Sequence, residues 1–136
     1  MLHNQTIAVV LPAYNEERKI GEVLDAIPDY VDKVFVVDDG SQDKTASISK
    51  NRNAEVIQHN HNKGVGIAFQ TGLKVFLDSP YDIMVNIDSD GQFNPIDIEK
   101  LVNPIISGHA DFVSASRLKE KKMTPQMSKI KLWGNR

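Results

Sequence analysis

Continuous apolar runs recur along the chain and predict the strands of a buried sheet. Residues 7–11 contain no polar side chain, which is typical of a strand covered on both faces of a parallel sheet, so residues 6–11 are the first predicted strand. We expect Pro12 to end it. Shorter apolar or alternating runs predict four more strands, over residues 33–37, 55–58, 81–87 and 111–115.

The segments between these strands carry apolar residues at helical spacing. We expect a first helix capped by Asn15 and stopped by Pro28, a second over residues 44–51, and a fourth over residues 94–108 that opens on an Asn-Pro pair. The third predicted helix follows Gly64 and carries on one face Val65, Phe69, Leu73, Phe76 and Leu77. Five strands alternating with helices predict an α/β fold with an open, mostly parallel sheet flanked by helices.

Acidic residues follow two of the predicted strands. The carboxyl ends of parallel strands meet along one rim, where open α/β sheets bind ligands, and this rim would receive Asp38 and Asp39 as well as Asp88 and Asp90. Side chains two residues apart in extended chain point the same way, so Asp88 and Asp90 are expected to converge, with Gln92 adding a carbonyl oxygen. Such oxygen donors suit Mg²⁺ or Mn²⁺. Because Asp, Ser and Gly also dominate solvated turns, this segment alone leaves a metal site and an ordinary turn both open.

Charge is distributed unevenly along the 136 residues, whose net charge is −2. Residues 117–136 carry seven basic side chains and one acid, whereas the rest of the chain holds nine basic and seventeen acidic side chains. The overall balance argues against a nucleic-acid partner. The basic segment suits either contact with phosphate or an anionic membrane surface, or a solvated basic helix.

Two further features of the composition restrict the class of protein. The chain has no cysteine, which excludes disulfides and thiolate metal sites. No stretch approaches the roughly 20 apolar residues that a membrane span needs. We therefore expect a soluble or peripheral chain, in the cytoplasm or at the cytoplasmic face of a membrane.

Five motifs occur in an order that resembles one enzyme family. They are Val9-Val-Leu-Pro-Ala-Tyr-Asn-Glu-Glu17, Val36-Val-Asp-Asp-Gly-Ser-Gln-Asp-Lys-Thr45, Asn62-Lys-Gly-Val-Gly66, Asp88-Ser-Asp-Gly-Gln92 and Ser114-Ala-Ser-Arg117. Together they resemble family 2 glycosyltransferases with the Rossmann-like GT-A fold, especially the dolichyl- or polyprenyl-phosphate mannose and glucose synthases. The resemblance covers nearly the whole chain, although its Asp-x-Asp element alone is a weak signal.

The resemblance implies a nucleotide-diphosphate sugar donor, uridine- or guanosine-linked, bound across the rim. The motif positions that would contact base and ribose are Pro12, Tyr14, Glu16, Val37 and Asp39, with Ser89 beside the ribose. The positions that would bind the metal are Asp88, Asp90 and Gln92. Arg117 matches a basic residue that faces the phosphates, a task for which the guanidinium fork is suited. Asp90 and Arg117 are thus the residues implied in catalysis.

The same resemblance implies an inverting displacement at the anomeric carbon, in glycan or cell-envelope polysaccharide biosynthesis. A lipid-phosphate acceptor would need no general base, whereas a sugar hydroxyl would need a carboxylate base. Residues 1–117 are expected to form the donor-binding core and residues 118–136 to lead into an acceptor-side region. Family members usually extend further, so we expect an N-terminal fragment that could be inactive alone. The oligomeric state is left open.

Other interpretations of these motifs are weaker, but one stays open. An aspartate-nucleophile phosphohydrolase shares the Asp88-Ser-Asp-Gly pattern, yet carries it near its first strand and without Gln92. A nicotinamide-binding domain would need a third glycine where Phe69 stands. His59 and His61 are expected in a solvated loop and not at a metal. A non-catalytic nucleotide-binding module remains the alternative to a transferase.

Overall fold

A four-stranded parallel sheet forms the centre of the computed structural model, which describes residues 1–114. Its strands are β1 Ile7–Ala13, β2 Lys33–Asp38, β3 Glu55–Gln58 and β4 Ile83–Asn86. Their order is β3-β2-β1-β4, and every neighbouring pair is parallel. The helices are α1 Ile20–Asp25, α2 Thr45–Lys50, α3 Val65–Leu77 and α4 Ile98–Ile106, the last entered through one 3₁₀ turn, Pro95–Asp97. The predicted α/β fold is confirmed.

Strand β1 is buried on both faces of the sheet, as its continuous apolar sequence predicted. Ile7, Val9 and Leu11 pack into the cluster that α1 and α4 cover, whereas Ala8 and Val10 pack on the opposite face, where α3 lies. All five are fully buried. Burying a Val, Leu or Ile side chain contributes about 1.5–3 kcal/mol, so β1 anchors the loops that leave its carboxyl end.

Pro12 does not end the first strand, contrary to the prediction, because its position tolerates the missing N–H. The carbonyl of Val10 accepts from Ile87 on the β4 side, and the carbonyl of Ala13 accepts from Asp39 on the β2 side. Alternate residues of a parallel strand face alternate neighbours, so Pro12 faces the β4 side beyond Asn86, the last residue of β4 paired with β1. The strand therefore continues to Ala13.

The predicted apolar face of the third helix is right only in part, since Phe76 packs against the buried core of the sheet but Val65 and Leu77 do not. Ala68 and Gly72 face the sheet and are buried, whereas Val65 and Leu77 are 73% and 69% exposed. A Cβ atom added at Gly72 would lie 2.4 Å from Cγ1 of Val10, so the helix backbone packs directly on β1. A reading of hydrophobic spacing misses this contact, because glycine carries no apolar side chain to count.

The chain after the fourth helix also departs from the prediction. Residues 111–114 form no strand, and Phe112 is 83% exposed, while residue 115 lies outside the described residues. A short alternating segment indicates extended chain but does not determine a pairing partner. The fourth helix itself is confirmed: Asn94 caps its 3₁₀ turn by accepting from the amide of Ile96, and Gly108 follows its end with φ of +76°. No helix within residues 1–114 is long and apolar enough to cross a membrane.

Candidate nucleotide-sugar site

A cavity of about 390 Å³ opens at the carboxyl ends of β1, β2 and β4. Seven of the residues singled out in the sequence line it, namely Pro12, Tyr14, Glu16, Asp39, Asp88, Ser89 and Asp90. Five further lining residues were not singled out as site residues, namely Ala13, Asn62, Gly64, Val65 and Ala68. The structure thus brings together side chains from segments that are far apart in the chain.

Three other predicted site residues are placed differently. Val37 is fully buried in the core against α3, and Gln92 is exposed and does not line the cavity. Arg117 lies outside the described residues. Their roles in binding stay predictions.

The loops after β1 and β2 are locked together beside the cavity. Asn15 has φ of +50°, its amide donates to Oγ of Ser41 at 2.9 Å, and its side-chain oxygen accepts from the amide of Gln42 at 3.0 Å. The prediction that Asn15 caps the first helix is therefore wrong, since its side chain satisfies the neighbouring loop instead. The amide of Glu16 donates to Oγ1 of Thr45 at 2.9 Å, which adds a second link. These contacts hold Tyr14 and Glu16 at the cavity.

The two consecutive aspartates after β2 have different surroundings. Asp38 is buried and accepts from the amide of Ser41 at 3.0 Å and from Nε2 of Gln58 at 3.2 Å, so it closes the turn. Asp39 lines the cavity. Burial alone would raise the pKa of Asp39, but hydrogen bonds from His59 and from the amides of Lys63 and Gly64 outweigh it and hold the pKa below its ordinary value. Asp39 is accordingly an ionised acceptor at neutral pH.

His59 is the residue that the sequence interpretation missed. It was expected in a solvated loop with His61, yet its side chain is only 7% exposed and Nδ1 lies 2.7 Å from Oδ1 of Asp39. His61 is exposed, as predicted. The available signal was the register: Asp38 is paired with Gln58 across β2 and β3, so the residues that follow them, Asp39 and His59, are neighbours at the rim.

Carboxylates from two different loops line the same part of the rim. Asp88 and Asp90 follow β4 and line the cavity with Glu16, while the carboxylate of Asp90 accepts from the amide of Gln92 at 2.9 Å. Burial, together with the negative charges of Asp90 and Asp43, raises the pKa of Glu16. A bound cation would offset the repulsion between these negative charges and favour the ionised carboxylates.

The donor set fits a divalent cation that shares its ligands with phosphate. Within residues 1–114 no three His, Cys, Asp or Glu side chains converge closely enough to hold a metal by themselves. Mg²⁺ and ions like it are commonly bound by one or two carboxylates plus waters and substrate phosphates, so two aspartates facing an open cavity are sufficient. Asp88 and Asp90 are the residues that would hold such an ion.

Comparison with known proteins decides the family. The model of the family described as "Glycosyl transferase family 2" matches residues 8–136. The chain belongs to this family. Among curated relatives, UDP-N-acetylglucosamine–dolichyl-phosphate N-acetylglucosaminyltransferase of Methanococcus voltae is 38% identical over 97% of this chain and 60% of its own. Undecaprenyl-phosphate mannosyltransferase of Micrococcus luteus is 32% identical over 82% of this chain and 48% of its own. This chain therefore spans about half the length of these relatives.

Solved structures agree with the family 2 assignment and with the GT-A fold. Glucosyl-3-phosphoglycerate synthase from Mycobacterium tuberculosis, in complex with Mn²⁺, UDP and glucosyl-3-phosphoglycerate, superposes with a TM-score of 0.64 at 34% identity. The match covers 76% of this chain and 40% of that one. A further structure of that synthase contains Mn²⁺, UDP-glucose and phosphoglyceric acid.

Proposed function

We propose that residues 1–117 are the donor-binding core of a divalent-metal-dependent, inverting glycosyltransferase that uses a uridine- or guanosine-linked sugar. The observation that carries the proposal is that Tyr14, Asp39, Asp88 and Asp90 line one and the same cavity. It offers an aromatic ring, an ionised acceptor and a pair of carboxylates, which are the groups that a nucleoside and a metal-bound diphosphate require. The solved relative that holds Mn²⁺ and UDP supports this assignment.

Each predicted site residue, whether or not it lines the cavity, then has a task that suits its chemistry. Pro12, Tyr14 and Glu16 bound the nucleoside on the β1 side, and Asp39 accepts a hydrogen bond from a base N–H or a ribose hydroxyl. Val37 supports the nucleoside-binding residues from the buried core, where it packs against α3. Ser89 lies beside the ribose. The cation, Mg²⁺ or Mn²⁺, is held by Asp88 and Asp90, with Gln92 as the further oxygen donor that the sequence motif implies.

The chemistry follows from the negative charge that develops on the departing nucleoside diphosphate. A bound divalent cation supplies Lewis-acid stabilisation of that charge. Asp90 would hold that cation next to the diphosphate, and Arg117 would donate to the phosphate oxygens as they gain charge. An acceptor oxygen attacks the anomeric carbon from the opposite face as the bond from that carbon to the diphosphate oxygen breaks, so the nucleoside diphosphate leaves and the configuration is inverted.

We further propose a polyprenyl or dolichyl phosphate as the acceptor. The relatives from Methanococcus voltae and Micrococcus luteus, whose names specify lipid-phosphate acceptors, match most of this chain and support this choice. An acceptor phosphate is already an anion and needs no general base. Residues 118–136, with their excess of basic side chains, would lead into the acceptor-side region and contact a phosphate or the anionic cytoplasmic face of a membrane. We therefore propose a role in glycan or cell-envelope biosynthesis.

A nucleotide screen by thermal shift tests the donor assignment. We expect UDP or GDP at about 100 times its dissociation constant to stabilise the chain by about 2.7 kcal/mol when Mn²⁺ is present, and much less after chelation of the metal. CDP and ADP serve as controls for base recognition. Equal shifts with all four nucleotides, or none with any, would reject the donor site.

Turnover separates the transferase from a non-catalytic nucleotide-binding module. The chain would be incubated with the matching nucleotide sugar, Mn²⁺ and a polyprenyl phosphate, and release of nucleoside diphosphate would be measured. Release that depends on the lipid phosphate supports the transferase. Tight nucleotide binding without release supports the module.

A further inference from the structure

His59 forms a buried polar link between Asp39 and helix α3. Its side chain is 7% exposed, its Nδ1 lies 2.7 Å from Oδ1 of Asp39, and its Nε2 lies 2.9 Å from Oγ1 of Thr71. An ionised carboxylate only accepts hydrogen bonds, which assigns the proton to Nδ1. In the neutral imidazole Nε2 then accepts from the hydroxyl of Thr71, so both ring nitrogens are satisfied.

Within residues 1–114, three donors hold the carboxylate of Asp39. Oδ1 accepts from His59 and from the amide of Lys63 at 2.9 Å, and Oδ2 accepts from the amide of Gly64 at 2.9 Å. A carboxylate has about four lone-pair directions, so roughly one, on Oδ2, is left for a ligand. The two amides belong to the turn that enters α3, whereas His59 is the only side chain among the three donors.

We propose that His59 is a positioning residue, which holds the carboxylate of Asp39 in the orientation that accepts a hydrogen bond from the bound nucleoside, while Thr71 holds His59. This inference rests on the proposed function, because it takes Asp39 to contact the nucleoside. A carboxylate that is already oriented loses less side-chain freedom when the ligand binds, which improves affinity. A purely structural role would instead have His59 join the loop to α3 with no specific effect on the nucleoside.

Two substitutions at His59 separate these roles. His59→Asn keeps an N–H donor close to the place of Nδ1 but cannot reach Thr71, whereas His59→Phe keeps the ring and removes both hydrogen bonds. Thr71→Val removes only the hydroxyl that holds the imidazole. His61→Asn is the matched control, because His61 is an exposed histidine of the same loop.

The decisive experiment is a double-mutant cycle between His59 and Asp39, measured by calorimetry with UDP and GDP in the presence of Mn²⁺. Losing a hydrogen bond to a charged group should weaken binding of the preferred nucleotide about tenfold in His59→Phe. We expect His59→Asn to restore most of the affinity, Thr71→Val to weaken binding less than His59→Phe, and His61→Asn to leave binding unchanged. In an Asp39→Ala background, His59→Phe should cause no further loss.

Several outcomes would overturn the inference. Additive losses in the cycle would show that His59 does not act through Asp39, and equal losses for His59→Asn and His59→Phe would show that the donor at Nδ1 is irrelevant. Should His59→Phe fail to fold, the cycle between Thr71→Val and Asp39→Ala decides in the same way. Inorganic pyrophosphate with Mn²⁺ should bind all variants alike, because it has no nucleoside. Wild-type protein that binds neither UDP nor GDP would reject the proposed function itself.

Discussion

Asp90→Ala is expected to abolish metal-dependent nucleotide binding while leaving the fold intact. Asp90 lines the cavity and is only partly buried, and its carboxylate accepts a hydrogen bond from the amide of Gln92, two residues away. Loss of a metal ligand should weaken binding of the preferred nucleoside diphosphate about a hundredfold in Mn²⁺, equivalent to about 3 kcal/mol. Calorimetry with and without Mn²⁺ measures the effect.

Asp97→Ala provides the matched control for this experiment. It removes the same charge from a carboxylate that is likewise only partly buried, pairs with Lys100 and does not line the cavity. We expect it to leave nucleotide affinity unchanged with and without the metal. Nucleotide affinity in Asp90→Ala equal to that of Asp97→Ala would reject Asp90 as a metal ligand.

Gly40→Ala is expected to cause the largest loss of stability of any single methyl addition at the rim. Gly40 has φ of +79°, and an added Cβ would lie 2.5 Å from the carbonyl carbon of His61 and 2.7 Å from the amide nitrogen of Asn62. Both contacts are with backbone, which cannot rotate away. We expect a loss of about 3 kcal/mol or more in the free energy of unfolding, from the positive φ and the overlap together. Urea denaturation measures it.

The loop that Gly40→Ala would displace also leads into the amides that hold Asp39, so nucleotide affinity should fall as well. Gly108→Ala isolates the contribution of backbone conformation, since Gly108 has φ of +76° and no heavy atom within 4 Å of an added Cβ. It should cost about 1 kcal/mol and leave nucleotide affinity unchanged. Equal destabilisation by the two substitutions would show that the overlap at Gly40 is relieved without cost.

Most of the fold follows from hydrophobic patterning, because the strands of a parallel sheet are buried on both faces. The predicted β3, Glu55–Gln58, matches the structure in full, and the prediction for β2 stops only one residue short. Hydrophobic patterning gave the wrong prediction where backbone geometry, and not side-chain polarity, determines the structure. Gly72 allows α3 to approach β1 closely, and Pro12 continues a strand because its neighbour has already ended.

The candidate site, like the fold, was predicted only in part from the sequence. Acids and small residues that directly follow strands were found in the sequence, since the rim of a parallel sheet gathers such residues. His59 was missed because its partner, Asp39, is twenty residues away in the chain and becomes a neighbour only through the pairing of β2 with β3. Asn15 was assigned to the wrong partner, because a cap and a link between loops use the same side-chain oxygen.

A structure of the chain soaked with Mn²⁺ and its preferred nucleotide sugar tests the central claim most directly. The account predicts one cation about 2.1 Å from carboxylate oxygens of Asp88 and Asp90 and from the diphosphate, with the nucleoside between Tyr14 and Asp39. A nucleotide bound elsewhere, or those two aspartates without a cation beside an ordered diphosphate, would contradict it.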